Sequence, residues 1–114
     1  MANATKHTGL PIPDEMTIEL AKPITMSGNN DTTIFNEIVL REPTVSELSQ
    51  FIKKTQKENA IDSMKFLISS VSGVPLVVID RIGVRDFYMA QDYMILFITP
   101  PEEDDPEGNV AGSQ

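Results

Sequence analysis

Residues 40–48 read LREPTVSEL: an apolar strand end, a charged pair, a proline and a helix-start signal in succession. Upstream, FNEIVL (35–40) alternates apolar and polar residues as a strand does, and downstream VSELSQFIKK (45–54) repeats its apolar residues at helical spacing. Pro43 marks the change, because its ring fixes its own φ and holds Glu42 in the extended region. Thr44 and Glu47 have the S/T-x-x-E spacing of a capping box, in which the hydroxyl takes an orphan amide and the carboxylate returns to the amide of the cap residue. The junction therefore predicts a strand that ends before Pro43 and a helix that begins at about Val45. Its residue types are accounted for by architecture alone.

Working toward the N-terminus, MTIELAKPITMSGNNDTTIFNEIVL (16–40) reads as two strands around a polar turn, with Ile18 and Leu20 alternating in the first and Ile38 and Leu40 in the second. Gly28, Asn29, Asn30 and Asp31 supply residues that tolerate left-handed backbone, and Pro23 either makes its strand an edge or interrupts it. A lone hairpin is marginal, so its apolar face must pack on the segments C-terminal to it.

Working toward the C-terminus, the spacing predicts a helix over Val45–Lys57, with Val45, Leu48, Phe51, Ile52 and Thr55 on an inner stripe and the lysines outside. Asn59 caps a second helix, in which Ile61, Met64, Leu67, Ile68 and Val71 recur at helical spacing until Gly73 closes it and Pro75 prevents continuation. PLVVIDRIG (75–83) fits either a strand or a short helical turn, and Pro75 favours the turn. The last element, about Arg85 to Ile98, is apolar nearly all round. Phe87, Ala90, Met94, Phe97 and Ile98 form one face, Met89, Tyr93 and Leu96 a second, with Tyr88 and Ile95 on the remaining side. Such a helix is either fully buried or shared with another chain, and a body this small buries little. Met89, Tyr93 and Leu96 are therefore expected to be left over as a partner-binding surface.

The chain has 114 residues and a net charge of -8. It is expected to form one α+β domain over 16–98, an N-terminal β-hairpin packed on three to four short α-helices, between disordered arms at 1–15 and 99–114. Glu102, Glu103, Asp104, Asp105 and Glu107 lie in the second arm with no basic residue, and without these five charges the remainder carries only -3. Such a tail keeps a sticky body soluble by repulsion or shields an apolar surface from the wrong partner.

No cysteine is present, which excludes disulfides, thiolate metal sites and cysteine catalysis. His7 is the only histidine and falls in the first arm. Neither phosphate-binding glycine motifs nor the spacings of zinc or EF-hand sites occur, and PEEDDPEGN (101–109) lacks the regular ligand order of a calcium loop. The expectation is a binding protein with no catalytic, cofactor or metal residues. The acidic balance argues against nucleic acid, with Lys53, Lys54 and Lys57 read as a solvated helix face, and no apolar run is long enough to span a membrane.

Three segments taken in order, TIELAKPITMSG (17–28), IVLREPTVSEL (38–48) and LISSVSGVPLVVIDRIGVRDF (67–87), resemble the tail assembly chaperone family of Mu-like and related contractile-tailed phages. The matching positions include Leu20, Lys22, Pro23 and Ile24, then Leu40, Arg41, Glu42, Pro43, Thr44 and Leu48, and later Gly73, Asp80 and Asp86. Ser46 and Glu47 stand where the family often has Gly-Asp, which keeps the cap chemistry, and residues 73–82 are more aliphatic than the family's acidic segment. The resemblance adds no catalytic duty to Arg41 or Glu42, which are read as a structural pair. It implies a protein that binds the helical tape measure protein in the host cytoplasm and keeps it competent for tail tube assembly. The tail tube protein is a possible further partner, self-association is expected, and the mature virion need not contain the chain. The alternative is a small structural tail or baseplate subunit of the virion. Met26, Met64, Met89 and Met94 suit the first reading, since methionine adapts to irregular surfaces.

Overall fold

The computed structural model describes residues 12–99. Two strands, β1 (Glu15–Ser27) and β2 (Thr32–Arg41), are followed by four helices: α1 (Val45–Lys57), α2 (Ala60–Ser72), α3 (Leu76–Ile79) and α4 (Val84–Ile98). The architecture is the expected α+β hairpin on helices, and the short helical turn after Pro75 is α3. Pro75 stands one position ahead of that helix, its carbonyl accepting from the amides of Val78 at 2.9 Å and Ile79 at 3.2 Å. The arm sequences at 1–11 and 100–114 lie outside the described residues.

β1 and β2 pair antiparallel, with Glu15 opposite Arg41 and Ile18 opposite Ile38. Period-2 alternation buries Ile18, Leu20, Ile38 and Leu40 on one face. Pairing stops at Glu19↔Glu37 and resumes at Ile24↔Phe35, so residues 20–23 of β1 stand against Asn36 alone. Pro23 lies in this bulge, where its missing N–H costs no ladder bond. At the hairpin turn the Gly28 amide donates to the Asp31 carbonyl at 2.6 Å. Gly28 does not use the left-handed freedom that its type offers; among the described glycines only Gly73, at φ 74°, has positive φ, and it closes α2.

The helix starts follow their caps. The Glu47 amide donates to Thr44 Oγ1 at 3.1 Å and the Thr44 amide to Glu47 Oε1 at 2.9 Å, completing the capping box. Asn59 Oδ1 accepts from the Asp62 amide at 2.7 Å. Met64, Leu67, Ile68 and Val71 place α2 at the centre of the core, against β2 and against α4, which itself packs on β1 through its buried face of Phe87, Ala90, Tyr93 and Met94. α1 departs from its expected inner stripe, for it contributes no fully buried residue. Phe51 packs against the core, but Val45 is 82% exposed and Ile52 47%. The physical reason is that α1 leans on the outer side of α2, which already uses its own inward face for the core. Contacts also begin before residue 16: Ile12 packs on the core and the Tyr93 hydroxyl donates to the Pro13 carbonyl.

Candidate partner-binding surface

The junction that decides the fold forms a lock. Arg41 donates through Nη1 and Nη2 to the two oxygens of Glu47, both at 2.9 Å, while Ser70 Oγ donates to Glu47 Oε2 at 2.6 Å. One carboxylate thus ties the end of β2, the start of α1 and the last turn of α2. The Arg41 hydrogen bonds, helped by Ser70 and the Thr44 amide and opposed by burial, hold the Glu47 carboxyl at a pKa of about 2. This corrects the reading of Arg41 and Glu42 as a pair, because Glu42 offers Arg41 only its main-chain carbonyl, at 2.9 Å. The lock is occupied by structure throughout and leaves no group free for a ligand.

The final helix places its three expected contact residues differently. Met89 is 42% exposed, Leu96 is half-buried against the core and Tyr93 is only 3% exposed. Tyr93 meets Phe97 edge-on, with ring centroids 5.1 Å apart, and its burial pushes the phenol pKa up, with the charges of Asp14, Glu15 and Glu42 adding. Met89, Tyr93 and Leu96 therefore do not form one exposed face. The buried arc of α4 runs through Asp86, Phe87, Ala90, Tyr93 and Met94 because Asp86 turns inward: its Oδ2 accepts the Ala21 amide at 3.0 Å, satisfying a donor that the β1 bulge would orphan. Ala90, the smallest of the five, lets the helix approach the hairpin closely. The apolar residues left outward are Val84, 64% exposed, with Tyr88 and Ile95 on the same side and Met89 beside them.

Two hollows adjoin this outward side. The larger, an open concavity of about 1020 Å³, lies between the β1 bulge and the first turns of α4, with Pro23, Val84, Tyr88 and Met89 supplying apolar surface and Lys22, Arg81 and Arg85 positive charge. The smaller, about 220 Å³, is lined by Ile61, Ile79, Ile82 and Phe87 and shares Val84 and Tyr88 with the first. Val84 and Tyr88 thus form the ridge between them. Lys65 closes one side of the smaller hollow, its ammonium 2.7 Å from Asp80. Sequence reasoning named Met89 on this surface but missed Val84, Tyr88 and Ile61. The signal that would have found Val84 and Tyr88 is the buried Asp86, whose inward turn sets the rotation of α4; Ile61, on α2, has no such local signal.

Among the described residues no group of His, Cys, Asp and Glu is arranged to hold a metal ion, and no helix is long and apolar enough to cross a membrane. Residues 17–99 match the family model described as "Phage tail assembly chaperone proteins, E, or 41 or 14". That span takes in the hairpin from Thr17 on, the lock, all four helices and the ridge. No curated protein matches the chain, and no solved structure matches it.

Proposed function

Because the chain belongs to the phage tail assembly chaperone family, we propose that it exercises this role by binding the tape measure protein in the host cytoplasm, as in Mu-like contractile-tailed phages, and keeping it competent for tail tube assembly. The observation that carries the proposal is the Val84–Tyr88 ridge with Met89 beside it, apolar side chains held outward between two hollows. An amphipathic helix laid across such a ridge buries its own apolar stripe, the helix-in-groove mode of recognition. Val84, Tyr88 and Met89 are already about half covered, so completing their burial contributes about 1 kcal/mol each, from which the cost of association is subtracted. That balance suits a chaperone, which must release what it holds. The family's role is assembly, and such a role requires no catalytic group.

The test is coexpression with the tape measure protein. Wild-type chain is expected to keep the tape measure protein soluble and to co-purify with it. The chain carrying Val84→Lys and Tyr88→Lys, both at exposed positions, is expected to keep its circular dichroism spectrum and lose both effects. Mass spectrometry of purified particles separates this role from a structural tail or baseplate subunit: stoichiometric presence of the chain in finished tails contradicts the chaperone reading.

A further inference from the structure

The larger hollow gathers positive charge in a chain whose net charge is -8. Lys22, Arg81 and Arg85 line it, all three exposed, and among the described residues none of them forms an ion pair, whereas Arg41, Lys54 and Lys65 do. Arg81 reaches neutral groups instead, with the Thr25 carbonyl 3.4 Å and the Met26 sulfur 3.6 Å from its Nη1. Asp86, the carboxylate in the lining, is buried and committed to the Ala21 amide. On α4, Val84 and Tyr88 stand four residues apart, as do Arg85 and Met89, so an apolar row and a row that opens with a cation run side by side. Lys22 and Pro23 close the other side from the β1 bulge. Lys53 and Lys57 of α1 also lack ion pairs among the described residues, but the hollow they line contains Glu58 and no apolar side chain. The β1 bulge and the start of α4 thus bring unanswered cations and exposed apolar surface to one place.

We propose that the helix seated on the ridge is acidic: its apolar stripe covers Val84, Tyr88 and Met89, and carboxylates flanking that stripe pair with Lys22, Arg81 and Arg85. The proposal rests on the ridge as a seat for a partner helix and adds the charge that selects the occupant. An apolar ridge alone accepts any amphipathic helix. Ion pairs at an exposed rim add little affinity each, but they speed encounter and fix register. A basic helix with the same apolar stripe would set its lysines against three cations, which penalises it at the same positions that favour the acidic one. The negative balance of the rest of the chain repels an acidic helix, so the hollow, where positive charge adjoins apolar surface, is the favoured landing place.

The experiment titrates the full chain with three synthetic helical peptides of about 18 residues, or about five turns. They share one apolar stripe at i, i+3, i+4 and i+7 and carry glutamate, glutamine or lysine at the flanking positions. Three exposed ion pairs together give about a tenfold preference, so the glutamate peptide is expected to bind about tenfold more tightly than the glutamine peptide, and the lysine peptide more weakly than either. NMR signals of Lys22, Val84 and Met89 are expected to shift while those of Val45 and Ile52 stay. The preference is expected to vanish at about 1 M salt, where the screening length falls to about 3 Å. It is also expected to vanish in the chain carrying Lys22→Gln, Arg81→Gln and Arg85→Gln, all at exposed positions, with the circular dichroism spectrum kept. Equal binding of the glutamate and glutamine peptides overturns the proposal and leaves the ridge standing as a helix seat; failure of all three to bind overturns both. Shifts at Lys53 and Lys57 in place of Lys22, or displacement of the glutamate peptide by a single-stranded oligonucleotide, would also overturn it. The peptides carry no tape measure sequence, so this result and the coexpression result can fail separately.

Discussion

Glu47 carries more of the junction than its place in a capping box requires. Thr44→Ala removes the acceptor for one helix amide and is expected to lower stability by about 1 kcal/mol, read as the urea unfolding midpoint. Arg41→Ala is expected to cost at least as much, about 1–2 kcal/mol after allowance for the exposure of the guanidinium, because it leaves the Glu47 carboxylate, only 12% exposed, without its cation. The pH dependence follows from the same group. Its carboxyl has a pKa of about 2 when folded against an ordinary 4.5, so its stabilisation is complete above about 4.5 and is lost as pH falls toward about 2. Glu47→Gln should therefore reduce stability at neutral pH and flatten the acid decline between those values; an unchanged slope would mean that other carboxylates set it. The cap was legible in the sequence because Thr44 and Glu47 stand at fixed local spacing. The Arg41 and Ser70 contacts were not, since they depend on where β2 and α2 meet, and Glu42 was a plausible local partner for Arg41.

At the scale of elements, the positions of α1 and α2 were legible because each carries its own start or stop: Thr44, Asn59 and Gly73 stand where the chain places them. Rotation about the helix axis was less so. α4 is apolar on most sides, and period alone does not say which side faces inward. Asp86 decides it, by an interaction with an amide 65 residues earlier. Asp86→Ala is expected to destabilise by about 1 kcal/mol, since it removes the acceptor of the Ala21 amide, whose residue is exposed to water, and Asp86→Asn, which retains a carbonyl oxygen, should recover a substantial part. Equal losses in the two variants, measured by denaturant unfolding, would show that charge rather than satisfaction of the amide is what matters. Tyr93→Phe should cost about 1 kcal/mol by removing the bond to Pro13, while its ring keeps the contact with Phe97.

The whole molecule is shaped by one requirement, that a two-stranded hairpin bury its apolar face. α2 and α4 cover that face, α1 is locked to the outside through Glu47, and the bulge of β1 meets the start of α4 to leave a charged hollow beside an apolar ridge. The α+β arrangement was legible because alternation, caps and breakers agree along the chain. The surface was legible only as an excess of apolar residues on the last helix; its location required the tertiary contacts of Asp86 and Tyr93. α1 offers a rival apolar surface at Val45 and Ile52. The measurement that separates the two titrates the full chain with a tape measure helix and follows methyl resonances. Binding at the ridge predicts shifts at Val84, Met89 and Ile61 with Val45 and Ile52 unchanged; shifts confined to Val45 and Ile52 would contradict it.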